Sequence, residues 1–475
     1  MTVYILGAGP TGLAIAHSLS EIQDIDFVVL EQESLVGGLA KTVRWGNHGY
    51  HDLGPHKIFS PDQSLMERVI QILPEKDWLI QPKRSSIFIH DQFIPYPPSP
   101  LSLVKVYGFY PFIQMLLDYI GTKLRSLLRT EEPGSFEEDL ENRLGRGLYE
   151  ALFKPIALKL WGDPTQLDVK LSKGRVQIPS LFEVIGRLLK IRASSEFEAM
   201  SFLYPKGGLQ KLWDAILNKN QHQGSCFLNQ EVTSIIVEDS TINKIRHQDK
   251  LTDEEREIEI QKDDFVFSTI PLYQLVKIMG HAITEENRRS IKEMIKLNDL
   301  ILVFFQIDRT SLLDESWVFV PDPKIVFHRI SEQKSFDPEM TPNGSIMCCE
   351  IMDNEMRPMS NRSDDDLIAL ARKGLSDMGY RGFSVLGQRV IRLPASYPVF
   401  RRGFEPVLEK ILEELDRFTN FRTIGRQGAF NYIGTLDAMD IGFGAAKWFL
   451  NKREKNFKES WKEERQRTKH YPVLD

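Results

Sequence analysis

The feature that most constrains this chain is the run Gly7-Ala8-Gly9-Pro10-Thr11-Gly12 near its start. An apolar, β-prone stretch at residues 3–6 precedes the run, and Leu, Ala and Ile at helical spacing follow it, the pattern of a strand, a glycine turn and a helix. Gly7 permits the tight turn. Gly9 lets the backbone approach a pyrophosphate with no side chain between them, and Gly12 lets helix and strand pack closely. Pro10 and Thr11 lie in the same turn, and the helix N-terminus beyond it faces the anion. A second strand at residues 27–30 ends at Glu31, nineteen residues past Gly12, with Gln32 next to it. A carboxylate there can accept both ribose hydroxyls of a dinucleotide. A tight turn with no ligand is the weaker reading, because strand, turn, helix and acid all agree.

Composition narrows the rest. The 475 residues are 42% hydrophobic and 27% charged, enough for two or three packed units. The net charge of -6 comes from intermixed acids and bases, so no field of one sign points to nucleic acid, and a small-molecule substrate is the expected partner. Cys226, Cys348 and Cys349 are too few for a disulfide framework or a metal cage, and no metal is expected. Residues 1–6 carry no basic, apolar leader with a cleavage site, and no run of about 18 apolar residues occurs. The expectation is a cytoplasmic protein, soluble or peripheral. Oligomeric state leaves no signal here.

NAD- and FAD-binding chains share the first fingerprint, so the choice rests on Leu35-Val36-Gly37-Gly38-Leu39-Ala40, a glycine pair just past the ribose acid. This extension resembles the FAD proteins of the amine oxidase and protoporphyrinogen oxidase superfamily. The resemblance implies FAD as cofactor, with Gly37, Gly38 and Leu39 against its pyrophosphate. The expected fold class is α/β, a discontinuous Rossmann-like FAD-binding domain with an inserted helical and antiparallel-sheet substrate domain.

The FAD-binding domain is placed at residues 1–90, 205–290 and 395–450, the helical insertion at 91–204, the sheet-rich part at 291–394 and a charged helical tail at 451–475. The proline-rich Ile94-Pro95-Tyr96-Pro97-Pro98-Ser99-Pro100 is a stiff connector. Beyond it, residues 101–128 mix apolar and aromatic side chains with Lys105, Lys123 and Arg125. They read as a bundle core in preference to a membrane-surface segment. A strand at 231–237, carrying Val232, and another at 265–272 return the chain to the nucleotide domain. The tail reads as a solvated helix.

Four clusters resemble the branch of the superfamily that contains UDP-galactopyranose mutase. His51-Asp52-Leu53-Gly54-Pro55-His56-Lys57-Ile58-Phe59-Ser60 is similar to the loop that sets glycine and histidine beside the flavin, which implies roles for Gly54, Pro55 and His56. Leu160-Trp161-Gly162-Asp163-Pro164 with Arg175 resembles the segment bearing a substrate-facing tryptophan and a diphosphate-binding arginine, a task suited to the planar guanidinium fork. Phe327-His328-Arg329 and Ser396-Tyr397-Pro398-Val399 supply another anion clamp, Arg329, and a tyrosine near the sugar, Tyr397. Residues 424–432, with Gly425 and Tyr432, followed by Asp437-Ala438-Met439-Asp440, resemble the segment that closes over the flavin.

Three departures count against the mutase pattern, one of them the four residues that separate Tyr432 from Asp437 where the mutase has almost none. Asp299 stands where the mutase has an arginine, and an acid there would repel a diphosphate; Phe430 replaces a tyrosine. The implied function is an FAD-dependent oxidoreductase acting on a small molecule, with His56, Tyr432 or Tyr397 assisting proton transfer. Its rivals are a redox-neutral, flavin-dependent mutase and a non-catalytic FAD- or lipid-binding protein.

Overall fold

Short, largely apolar strands build the central layer. The computed structural model describes residues 1–126, 132–175, 201–219, 224–451, 457–469 and 471. Its parallel sheet runs in the order Phe421–Thr423, Phe265–Ser268, Thr2–Leu6, Asp26–Leu30 and Gly224–Phe227. These five segments come from three widely separated parts of the chain, 2–30, 224–268 and 421–423, which is what makes the nucleotide unit discontinuous. Helices Pro10–Leu19 and Thr435–Leu450 cross tightly on one side of the sheet: a Cβ on Gly442 would sit 2.3 Å from the Thr11 carbonyl oxygen. The hydroxyl of Thr11 donates to the carbonyl of Ala438 at 2.8 Å, locking the first helix to the last. Gly442-Phe443-Gly444 is therefore a helix-packing element.

A second, seven-stranded sheet runs in the order Val385–Phe400, Ile295–Ile307, Ser345–Asp353, Arg329–Glu332, Trp317–Phe319, Ser85–Ile89 and Gln92–Pro95. All its pairings are antiparallel except that of Trp317–Phe319 with Ser85–Ile89. The strands at 85–89 and 92–95, placed by the sequence reading in the nucleotide and helical parts, thus belong to the substrate-side sheet. Helix Lys154–Leu160 is tied to this sheet by Lys159, whose buried ammonium donates to the carbonyls of Val320 and Phe327 at 2.6 and 2.9 Å. Burial, with Arg357 nearby, holds Lys159 well below its ordinary pKa. Neutral or charged, it fixes the helix end from which Trp161 projects.

Two sequence expectations change. Residues 101–126 do not form a bundle core: Leu101, Phe109, Tyr110, Leu117 and Leu124 are exposed, because periodicity reports an apolar face and not what covers it. The tail is docked instead of solvated. In helix Phe457–Arg467, Trp461 is buried against Trp448, and its indole N–H and Arg465 both donate to Asp416. Cys348 and Cys349 are buried free thiols, and Cys226 is half-buried. Among the described residues no helix is long and apolar enough to cross a membrane.

Candidate active site

The glycine turn has the shape a dinucleotide needs. Gly7 (φ +103°) leaves only 2.3 Å between a built Cβ and the Thr269 hydroxyl, and a Cβ on Gly12 would stand 2.0 Å from the Gly7 carbonyl. A Cβ on Gly9, by contrast, would meet nothing within 4 Å. This open backbone beside the N-terminus of helix Pro10–Leu19 is a cradle that fits a pyrophosphate. Gly38 closes the other side, its Cβ position lying 3.1 Å from the Gly9 Cα, and the Gly37 N–H donates to the Ala8 carbonyl at 2.8 Å. Gly425 (φ +88°) packs on Thr11 in the same way.

Glu31 is buried at the end of its strand, accepting from the backbone N–H groups of Ala8 at 2.7 Å and Glu33 at 2.9 Å. Burial raises its pKa against the pull of those bonds. Gln32 beside it is exposed. Val232 is buried two residues beyond Gln230, whose N–H donates to the Glu31 carbonyl. These positions fit a ribose and an adenine edge.

Some 50 residues along, strand Tyr50–Asp52 feeds the loop Gly54-Pro55-His56. The loop is anchored from below by Asp52, whose carboxylate accepts from Thr42 at 2.5 Å and Tyr204 at 2.6 Å, while its N–H donates to Gln333 at 3.0 Å. Burial outweighs these bonds and pushes Asp52 up to about 7. His56 bonds through Nε2 to the Leu39 carbonyl at 3.1 Å. A carbonyl only accepts, so Nε2 carries the proton. Burial, then the nearby Arg329 charge, hold His56 at about 4, neutral at pH 7.

His56, Gly54 and Pro55 line a cavity of about 470 Å³. Trp161, Tyr397 and Tyr432 also line it, with ring centroids 6.3 Å apart for Trp161 and Tyr432 and 5.7 Å for Tyr397 and Tyr432. The sequence reading thus named an aromatic wall that the fold assembles from three distant segments. It missed Arg426, whose guanidinium lies 4.9 and 5.2 Å from the Tyr397 and Tyr432 rings and donates to the Ile433 and Ser396 carbonyls. It also missed Glu350. The signal was present: one acid inside the otherwise apolar run 345–352.

Three of the assigned residues have partners or surroundings within the protein itself. Arg329 reaches the cavity but is forked onto the buried carboxylate of Glu350, Nε to Oε1 at 2.5 Å and Nη2 to Oε2 at 2.8 Å, so its charge is already balanced. Asp437 lines the cavity yet caps its own helix, accepting from the Gly434 N–H at 3.0 Å. Met439 is fully buried in the core beneath that helix and does not line the cavity. Arg175 ends helix Val169–Arg175, and its side chain lies outside the described residues.

Two of the sequence departures resolve differently. A bulge between Asn298 and Leu300 turns the Asp299 carboxylate to the Ala395 N–H at 2.8 Å, away from the cavity lining. Phe430 is buried between Phe400 and Phe404. Among the described residues no cluster of three or more His, Cys, Asp or Glu is placed to hold a metal.

Fold and site together define a mixed α/β protein with a Rossmann-like dinucleotide-binding domain and added sheets and helices. Residues 5–73 match the NAD(P)-binding Rossmann-like domain family. In sequence the chain is related to a probable UDP-galactopyranose mutase of Klebsiella pneumoniae, 25% identical over 174 residues, which is 36% of this chain and 44% of that protein's length. In structure it is similar to reduced UDP-galactopyranose mutase (TM-score 0.80, 20% identity, 98% of this chain and 97% of that one). It is also similar to a redesigned putrescine oxidase (TM-score 0.63, 14% identity, 95% and 100%). These relationships agree with the resemblance to the FAD amine oxidase superfamily and its mutase-like branch.

Proposed function

We propose that this protein is an FAD-dependent oxidoreductase acting on a small-molecule substrate, of the sugar, nucleotide-sugar or lipid-linked sugar class. The observation that carries the reading is one of placement. The nucleotide unit carries the open cradle at Gly9 and the buried acid Glu31, and the His56 loop shares with Trp161, Tyr397 and Tyr432 the lining of a cavity of about 470 Å³.

FAD, when bound, supplies the two-electron acceptor for a substrate carbon bearing oxygen or nitrogen. Gly9, Gly38 and the N-terminus of helix Pro10–Leu19 would hold its pyrophosphate and Glu31 its ribose. His56 is neutral at pH 7, with its Nε2 proton on the Leu39 carbonyl and a further backbone bond to Leu53, which leaves it a weak base toward a substrate proton. Tyr397 and Tyr432 offer hydroxyl donors in the same lining, their rings held by Arg426. No second glycine fingerprint for a nicotinamide cofactor is present in the sequence, which favours oxygen, a quinone or a protein as electron acceptor.

A redox-neutral mutase is the second reading. Asp299 accepts from the Ala395 N–H and does not line the cavity, which weakens the objection to a diphosphate, whereas the Arg329–Glu350 fork balances one cation that spoke for it. Anaerobic spectroscopy with a panel of sugars and nucleotide sugars separates the two. Bleaching of the oxidised flavin by a substrate supports the oxidoreductase. Turnover that requires dithionite-reduced flavin and consumes no reductant replaces it with the mutase.

A further inference from the structure

We propose that the exposed face of helix Phe109–Ser126, together with Leu101, docks on an anionic phospholipid bilayer. Leu101 is 79% exposed, Phe109 and Tyr110 71% each, Leu117 64% and Leu124 62%. Tyr110, Ile113, Leu117, Ile120 and Leu124 follow one another at spacings of three and four, which puts them in a single stripe along the helix. Two aromatic residues begin the stripe and cations flank its far end, an arrangement suited to the headgroup boundary.

Charge selects the occupant. Residues 100–126 carry Lys105, Lys123 and Arg125 against one acid, Asp118. Asp118 is itself engaged, accepting from the Gly147 N–H at 2.9 Å and lying 3.8 Å from Arg125. The same face of a second copy would bring the same cations and, with Asp118 engaged, no free acid from residues 100–126 to meet them. Anionic headgroups neutralise them.

The face adjoins the cavity. Met115 packs on Gly147, and Tyr107 donates to the Ala151 carbonyl at 2.9 Å; the next residues, Leu152 and Phe153, line the cavity. Tyr96, also in the lining and 40% exposed, is five residues before Leu101. Docking would set this rim at the headgroup layer and narrow the substrate to one carried by a membrane amphiphile. That narrowing rests on the function proposed above; docking does not.

The test is co-sedimentation of the full-length protein with vesicles of phosphatidylcholine alone and of phosphatidylcholine with phosphatidylglycerol. Binding to the mixed vesicles is expected, with Leu117→Glu/Leu124→Glu weakening it about tenfold or more. Lys123→Glu/Arg125→Glu should weaken binding to the anionic vesicles alone. Leu117, Leu124 and Arg125 are exposed and Lys123 is half-buried over the Tyr119 ring, so Leu117→Glu/Leu124→Glu should keep the wild-type melting temperature and flavin content, and Lys123→Gln/Arg125→Gln serves as a milder check on the charge reversal. Failure of the wild type to sediment with either vesicle overturns the proposal. So does binding that both glutamate variants leave unchanged, or a wild-type dimer that Leu117→Glu/Leu124→Glu converts to monomer without any vesicle binding. A flavin-free protein that still sediments would contradict the functional reading and leave docking standing.

Discussion

Arg329 and Glu350, opposite each other in adjacent antiparallel strands, form a two-pronged ion pair directly beneath Gly54 of the histidine loop. Glu350 is 1% and Arg329 16% exposed, so the pair lies largely out of solvent. Replacing one partner alone, as in Glu350→Leu, should cost about 3–5 kcal/mol by leaving an uncompensated charge, whereas Arg329→Met/Glu350→Leu should cost far less. Urea unfolding of the two singles and the double reads this directly. Equal losses for the double and the sum of the singles would contradict the pairing.

The two glycines of the turn predict opposite phenotypes. Gly12→Ala drives a methyl to within 2.0 Å of the Gly7 carbonyl and should destabilise the fold by about 1–3 kcal/mol. Gly9→Val adds bulk where a Cβ meets nothing within 4 Å, so the apoprotein should melt like wild type while retaining little or no FAD. Melting curves and flavin released on denaturation distinguish them.

Asp52 makes stability depend on pH. Its folded value of about 7 stands above the 3.8 of a free aspartate, so the folded state binds the proton more tightly than the unfolded one. The resulting stabilisation is complete below about pH 4 and is lost as pH rises through 7. The loss is on the order of 3–4 kcal/mol at pH 8. Asp52→Asn should flatten the profile between pH 5 and 8; an unchanged slope would show that Asp52 ionises normally.

For His56, burial and Arg329 place the group at about 4, so the rate of substrate-driven flavin reduction should show no inflection from this residue between pH 5 and 8. His56→Ala should slow that step about 10²–10⁴-fold while keeping the flavin bound. Anaerobic stopped-flow absorbance measures both. An inflection near 6.5 that His56→Ala removes would contradict the buried, neutral imidazole.

The parts of this site that the sequence announces are those where local backbone geometry demands a residue type. Gly7, Gly9, Gly12 and Glu31 are legible because a turn, a close approach and a strand end each restrict the choice within one short segment. The aromatic wall of Trp161, Tyr397 and Tyr432 was legible only through resemblance, since no local rule joins three segments so far apart. The surroundings of Asp299 were not legible, because a bulge in the strand pairing, invisible in the residue order, turns its carboxylate onto Ala395. Asp437 was read as a cofactor contact when its nearest demand was its own helix N-terminus. Residues 101–126 were read as core because an apolar stripe looks the same whether protein or another phase covers it.

The most direct test of the account is the flavin content of the purified, full-length protein. A yellow preparation that releases about one FAD per chain on denaturation, and a Gly9→Val variant that folds but releases none, is the predicted result. A colourless wild-type protein that also fails to take up added FAD would contradict it.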